Sequence, residues 1–310
     1  GMIKLIHLIR TLKPAVVQGW MYHGDLASFL ALFFSGRRRC TKLIWGIRCS
    51  DMDLSQYRRA LWWVIKTCVL LSRIPDFIIA NSQAGARVHK NLGYRPERMG
   101  VIHNGIDTSV FYPRPELREK MRLELGLPQD ARVLFHVARV DPMKNHAGLL
   151  QAVSEIQDVW LVMIGKGTQD LPPQERVIAL GQRADVADLL QAGDGVISSS
   201  LYGEGFSNAL SEGMACGLTP IATESGDSSI IVGETGWSIP TNDPAALKAS
   251  IRAFCTLPEQ ELRRKGNAAY LRIMENFGLP VMARAYADLY GIKNQESQKI
   301  SLTQITVSET

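Results

Sequence analysis

Ten short apolar runs, spaced along the chain, constrain this 310-residue sequence more than any other feature. Four lie in the first third: AVVQGW (15–20), KLIWGI (42–47), FIIANS (77–82) and GVIHNG (100–105). Six follow: RVLFHVAR (132–139), VWLVMIG (159–165), RVIALG (176–181), GVISSS (195–200), TPIATES (219–225) and GWSIP (236–240). They are β-rich and lack a consistent polar face, so each reads as a strand buried on both sides. Such strands, separated by helix-length segments, build βαβ units and parallel sheets. The rhythm breaks at 108–131, where TSVFYPRPE and LGLPQD carry Pro113, Pro115 and Pro128. A domain boundary is expected near Asp107 to Pro115. The predicted fold class is α/β, with two Rossmann-like, doubly wound parallel-sheet domains. Such domains place ligands in a cleft at the carboxyl ends of their strands. The predicted division is 1–110, 111–275, a C-terminal helix in 276–292 and a polar tail, 293–310.

Apolar residues make up 46% and charged residues 21% of the chain, ordinary values for a soluble globular protein. No run reaches the roughly 18 uncharged apolar residues of a membrane span. The opening residues lack the basic, apolar and small-residue succession of a signal peptide. Cys40, Cys49, Cys68, Cys216 and Cys255 show no CxxC or ligand spacing and read as reduced thiols of a cytoplasmic protein.

Charge is uneven. Residues 1–110 hold 16 Lys+Arg against 6 Asp+Glu, whereas the remainder holds 19 against 24. Arg37, Arg38 and Arg39 follow the apolar DLASFLALFF, and RRALWWVIKTCVLLSR is similarly mixed. A basic, apolar-rich face can sit on anionic lipid, at about 1 kcal/mol per cation. Both segments also suit ordinary core-facing helices with solvated ends. Peripheral contact with the inner face of an anionic membrane is therefore kept beside the cytoplasmic reading. Nucleic acid is not expected as a partner, since aromatics do not interleave with the cations and no binding motif is present.

The chemistry concentrates in YGEGFSNALSEGMACG (202–217), where Glu204 and Glu212 stand eight positions apart. An acid in the loop before a helix and another about two turns later can face one pocket. Phe206, Ser207 and Asn208 lie between them, with backbone N–H groups at the helix N-terminus. That end carries partial positive charge and unpaired donors, which suits a phosphate. In HVARVDPMKNHAGLL (136–150), Arg139 and Lys144 follow the first strand of the second domain. Two cations there can grip a diphosphate, Arg139 bidentately and Lys144 as a point charge.

With these motifs in the same order, the chain resembles the retaining GT-B glycosyltransferases of family 4, the glycosyl transferases group 1 domain. The matching pieces are WMYHGDL, ANSQAGARVHKNLGY, VIHNGIDTSVFYP, ARVDPMKNH, LGQRADV and YGEGFSNALSEGMACGLTPIAT, which span about 20 to 290. The resemblance implies a nucleotide-sugar donor, UDP- or GDP-linked, and metal-independent transfer to a saccharide or lipid-linked acceptor. It further implies work in cell-surface polysaccharide or lipopolysaccharide synthesis. Arg139 and Lys144 then grip the diphosphate, Glu204 holds the donor sugar and Glu212 the ribose. Gly205, Phe206, Ser207 and Asn208 surround sugar and phosphate, and Gly181 and Arg183 lie where the nucleobase sits. His23, in WMYHGDL, is expected at the cleft edge near acceptor or sugar; His103 and His146 are expected to be structural or peripheral.

Two departures from the family pattern matter. Where many members place a histidine after the second of these strands, this chain has Arg48, Ser50 and Asp51. Asp51-Met52-Asp53 also imitates the metal-binding D-x-D of a different glycosyltransferase architecture, a poor fit to two Rossmann-like domains. In addition, the usual first strand and glycine-rich loop are not seen, so the first domain is expected to be incomplete, with an exposed sheet edge. The alternative to an active transferase is a nucleotide-sugar-binding protein with impaired turnover. An epimerase or phosphorylase on the same fold is a further rival, though no pattern for a phosphorylase's cofactor lysine is present.

Overall fold

All ten apolar runs form strands in the computed structural model, which describes residues 1–50 and 59–292. β1 (Val16–Gln18), β2 (Lys42–Ile47), β3 (Phe77–Ala80) and β4 (Met99–Val101) make one parallel sheet, ordered β1-β2-β3-β4. β5 (Arg132–Val137), β6 (Val159–Ile164), β7 (Val177–Ala179), β8 (Gly195–Ser198), β9 (Thr219–Thr223) and β10 (Trp237–Ile239) make a second. Its order is β10-β9-β8-β5-β6-β7, again parallel throughout. The chain divides into two units, Gly1–His103 with the segment from Ala283, and Asn104–Met282.

In the first unit the helices are α1 (Met2–Leu12), α2 (Met21–Phe34), α3 (Arg59–Leu71) and α4 (Gln83–Asn91). Period-two alternation sends Leu43, Trp45 and Ile47 of β2 to one face, into a core with Ile9 of α1, Leu32 of α2 and Ile65 of α3. Each such side chain contributes about 1.5–3 kcal/mol on burial. Ser82 starts α4 by accepting the Gly85 N–H at 3.0 Å. Asp25 of α2 is fully buried; its Oδ1 accepts the Gly46 N–H at 3.1 Å and its Oδ2 has no hydrogen-bond partner among the described residues. Burial pushes this carboxyl up to about 8, against the pull of the Gly46 N–H.

The second unit carries α5 (Arg118–Glu124), α6 (His146–Ser154), α7 (Val186–Leu189), α8 (Asn208–Ala215), α9 (Ser228–Val232), α10 (Pro244–Thr256) and α11 (Glu259–Asn276). α12 (Leu279–Tyr290) follows. The six-stranded sheet is buried on both faces, as its sequence predicts: Val133, Phe135 and Val196 enter one core, Leu134, Leu161 and Ile197 the other. One connection departs from the expected helix. Between β6 and β7 the chain makes only a 3-10 turn at Thr168–Asp170 before Pro172 and Pro173, which remove donors and prevent a helix from continuing.

Strand order places the crevice. β6 and β7 extend the second sheet to one side of β5, whereas β8 to β10 extend it to the other. The connections leaving β5 and β8 therefore diverge, opening a gap at their carboxyl ends. The first sheet keeps its described strands in chain order and has no such reversal among them. Among the described residues no helix is long and apolar enough to cross a membrane.

Candidate functional site

The gap between β5 and β8 holds a pocket of about 240 Å³. Two connections form its walls. The first leaves β5 through Ala138 and turns at Pro142–Lys144, where Asp141 accepts the Met143 N–H at 3.0 Å. Asn145 then adopts a left-handed conformation (φ 56°) and caps α6 by accepting the Gly148 N–H at 3.2 Å. Asn tolerates that backbone region better than most residues. The second connection leaves β8 through Ser199 and Ser200 and ends at α8. Ser199 Oγ donates to the Lys144 carbonyl at 2.9 Å, and the Leu201 N–H to the Met143 carbonyl at 2.8 Å. These bonds tie the two walls together.

Lys144 and Glu204 meet across the pocket, Nζ to Oε1, in an ion pair with both side chains largely buried. Ser200 Oγ donates to the same carboxylate oxygen at 2.9 Å. The loop between Glu204 and α8 is held by Gly226. A Cβ there would lie 2.2 Å from the Glu204 carbonyl oxygen, and its φ of 64° independently favours glycine. Phe206 anchors the same loop, buried against the Phe277 ring at 5.4 Å. Asp227 donates its N–H to the Gly205 carbonyl at 2.9 Å.

α8 begins without a side-chain cap from Ser207. The first-turn N–H groups of a helix have no intrahelical acceptor, and Asn208, Ala209 and Leu210 line the pocket. A positive helix end, an ammonium and a carboxylate thus share one small space. It can take an anionic group on the cationic side and a hydroxyl-bearing group on the carboxylate side.

Of the residues singled out in the sequence, Lys144, Glu204, Phe206, Ser207 and Asn208 line this pocket. Gly205 belongs to the same loop. Arg139 leaves the end of β5, but its side chain is 64% exposed and turns to Asp141, with Nη2 to Oδ2 at 3.0 Å. The Met143 N–H, and then Arg139, hold the Asp141 carboxyl below its ordinary range. Glu212 sits one turn along α8 from Asn208, on the same helical face but outside the pocket lining. Burial raises its pKa. Gly181 follows β7, two strands from β5; its carbonyl accepts the Gly165 N–H at 2.8 Å. Arg183 is occupied by Asp185 and lies 3.8 Å from Glu124. His23 is exposed in the first turn of α2, in the other unit. The Asp51-Met52-Asp53 pattern and the polar tail lie outside the described residues.

His136 and Ser200 were not singled out by sequence. His136, next to last in β5, lines the pocket; it is 2% exposed, with its ring 4.8 Å from that of His146. Burial, then His146 and Lys144, lower it to about 3, so its imidazole is neutral. The signal for Ser200 was present only as the polar end of an apolar run, which also describes the end of many buried strands.

Two family models match the chain: glycosyl transferases group 1 over residues 118–272, and glycosyltransferase family 4 over residues 1–110. The D-inositol 3-phosphate glycosyltransferase of Streptomyces bingchenggensis is 29% identical over 241 residues, 69% of this chain and 52% of the relative. The N-acetyl-alpha-D-glucosaminyl L-malate synthase of Bacillus anthracis is 26% identical over 205 residues, 61% of this chain and 52% of the relative. The chain spans about half the length of the curated relatives it matches. Among solved structures, HepE of Anabaena, in complex with UDP and glucose, shares the fold with a TM-score of 0.79 at 22% identity, over 94% of this chain and 81% of that one.

Proposed function

The chain belongs to the glycosyl transferases group 1 family, with its GT-B fold, and on that footing we propose that it transfers a sugar from a nucleoside diphosphate donor with retention. The observation that carries this reading is the pairing of Lys144 with Glu204 beside the uncapped end of α8. When the donor binds, its diphosphate takes over the Lys144 ammonium and the α8 N–H groups, and Arg139 turns from Asp141 to the same anion. Ser200 keeps Glu204 in place to accept sugar hydroxyls. Glu212, further along α8, takes the ribose, and Gly181 and Arg183 flank the nucleobase. His23 contacts the acceptor or sugar diphosphate.

The reaction follows from charge. The bond from the anomeric carbon to the diphosphate breaks, and its electron pair passes to the phosphate oxygen. The acceptor oxygen forms the new bond on the same face, and its proton passes to the departing phosphate. Negative charge grows beside Lys144 and the α8 terminus, which line the pocket before the donor arrives, with Arg139 turned in beside them; such preorganised stabilisation is usually the largest catalytic contribution. A UDP-linked donor is supported by the UDP complex of HepE. The acceptor class proposed is a saccharide or lipid-linked intermediate of cell-surface polysaccharide or lipopolysaccharide synthesis, on the cytoplasmic side. The basic first 110 residues support peripheral contact with an anionic membrane there.

A thermal-shift panel of UDP- and GDP-sugars tests the donor site, followed by turnover with saccharide acceptors. One UDP-sugar is expected to raise Tm. Lys144→Ala should remove that shift and lower kcat/KM by about 10²–10³. Glu204→Ala should weaken discrimination between sugars more than binding of UDP itself. A flat response across the panel would overturn the donor assignment; a Tm shift without product would leave a nucleotide-sugar-binding protein.

A further inference from the structure

The four connections entering the strands of the first sheet form a continuous cationic rim. Residues 13–15, 35–41, 72–76 and 92–98 precede β1 to β4 and hold Lys13, Arg37, Arg38, Arg39, Arg73, Arg95 and Arg98 against only Asp76 and Glu97. Of the connections leaving the same strands, those after β1 (Gly19, Trp20) and β3 (Asn81, Ser82) carry no charge, and that after β2 begins with Arg48. Hydrogen bonds lace the entering connections together. Thr41 Oγ1 donates to the Pro14 carbonyl at 2.8 Å, and Arg38 pairs with Asp76 at 3.3 Å. Arg98 Nη1 donates to the Pro75 carbonyl at 3.0 Å, and the Arg95 N–H to Ser72 Oγ at 3.3 Å. A pocket of about 270 Å³ opens among Arg73, Arg95, Glu97 and Arg98.

Apolar side chains stand at the same rim. α1, α2 and α3 each end just before one of these connections, and Arg10 Nη2 ties the last turn of α1 to the Phe34 carbonyl at 2.7 Å. In these last turns Leu12, Phe33, Phe34 and Leu70 are 66%, 61%, 56% and 78% exposed. Large apolar groups grouped with cations are unlike singly scattered surface residues and mark an interaction face.

We infer that this rim docks on an anionic lipid bilayer, with cations over phosphate headgroups and Leu12, Phe33, Phe34 and Leu70 entering the interface. Charge complementarity selects this occupant. A second copy would set the same cations against one another, whereas a bilayer offers a plane of opposite charge with an apolar layer beneath it. The inference rests on the proposed membrane contact and gives it a face. The amino end of the sheet meets lipid, and the carboxyl end, where parallel sheets bind ligands, is turned away, which of the two proposed acceptor classes suits the saccharide.

Flotation with phosphatidylcholine vesicles, with and without phosphatidylglycerol, tests this at low and high salt, alongside the UDP-sugar thermal shift. Flotation is expected only with phosphatidylglycerol and should fall with salt. The combined Lys13→Glu, Arg39→Glu and Arg73→Glu variant should lose at least fivefold per cation in vesicle partitioning, with its donor-induced Tm shift unchanged. Phe33→Ser with Phe34→Ser should weaken partitioning while salt dependence persists. Equal flotation without phosphatidylglycerol, or a charge-reversed variant that floats like the parent, would overturn the inference. So would a donor-binding chain that never floats. If the Phe variant instead dissolves a dimer of a chain that ignores vesicles, the rim is a self-association face and the lipid assignment fails. In each case the donor shift reports separately on the proposed function.

Discussion

At the amino ends of their two sheets, the two units bury arginine to very different extents. In the second unit Arg118 and Arg122 close on Asp194, at 2.6 and 3.0 Å. Arg122 is fully buried and also donates to the carbonyls of Ala192, Pro128 and Gln129. Asp194 accepts the Val133 N–H at 2.9 Å as well, pinning the start of β5. Burial lowers the pKa of the Arg122 guanidinium, while Asp194 opposes that shift. At the matching end of the first sheet, Lys13, Arg39 and Arg73 are exposed, and the acids available are Asp76 and Glu97. The difference is one of burial and number: Asp194, 4% exposed, binds two arginines, whereas Asp76, 37% exposed, pins the start of β2 through the Leu43 N–H at 2.7 Å and pairs with Arg38, leaving Lys13, Arg39 and Arg73 on the surface.

Arg122→Ala bears on this contrast most heavily. It removes the buried one of Asp194's two arginine partners together with the donor to three carbonyls, and should cost about 3–5 kcal/mol in urea unfolding, whereas Arg39→Ala should stay within about 0.5 kcal/mol. Similar costs for the two would erase the distinction between structural and available arginine. The buried acid of the first unit, Asp25, acts through pH. Its folded pKa of about 8 lies above the ordinary 3.8, so the folded state binds the extra proton between those values. Its stabilising contribution is fully present below about pH 4 and is lost as pH rises through about 8. Asp25→Asn should therefore flatten the decline in stability across that window, a difference on the order of a few kcal/mol. An unchanged pH profile would mean that Asp25 is paired as an anion, as Asp194 is. Ser200→Ala should be smaller, removing one hydrogen bond from Glu204 at about 1 kcal/mol. Its expected signature is a loss of discrimination between donor sugars with UDP affinity kept; equal loss of both would count against a positioning role.

Much of the second unit was legible in sequence because its signals are local. A strand buried on both faces must be continuously apolar, so β5, β6, β8 and β9 are visible as runs. A helix following a glycine-containing loop that carries an acid is visible at Glu204. The contact between Lys144 and Glu204 was not visible, because these residues are 60 positions apart and meet only once β8 lies beside β5. Arg139 illustrates the reverse: its position after β5 follows from sequence, but its turn toward Asp141 depends on side-chain competition in three dimensions. Ser200 and His136 escaped notice for the same reason, since a serine or histidine at a strand end acquires significance only from what faces it.

The same boundary separates sequence from tertiary structure across the molecule. By itself the sequence determined the α/β class, the ten strands and the unequal charge, and it singled out the residues proposed to hold phosphate. These depend on periodicity and composition within short windows. The strand reversal between β5 and β8, the pairing of Lys144 with Glu204, the burial of Arg122 on Asp194 and the gathering of four loops into one cationic rim were decided by tertiary structure. Each joins residues far apart in the chain, and only packing sets which distant groups share a low-dielectric space.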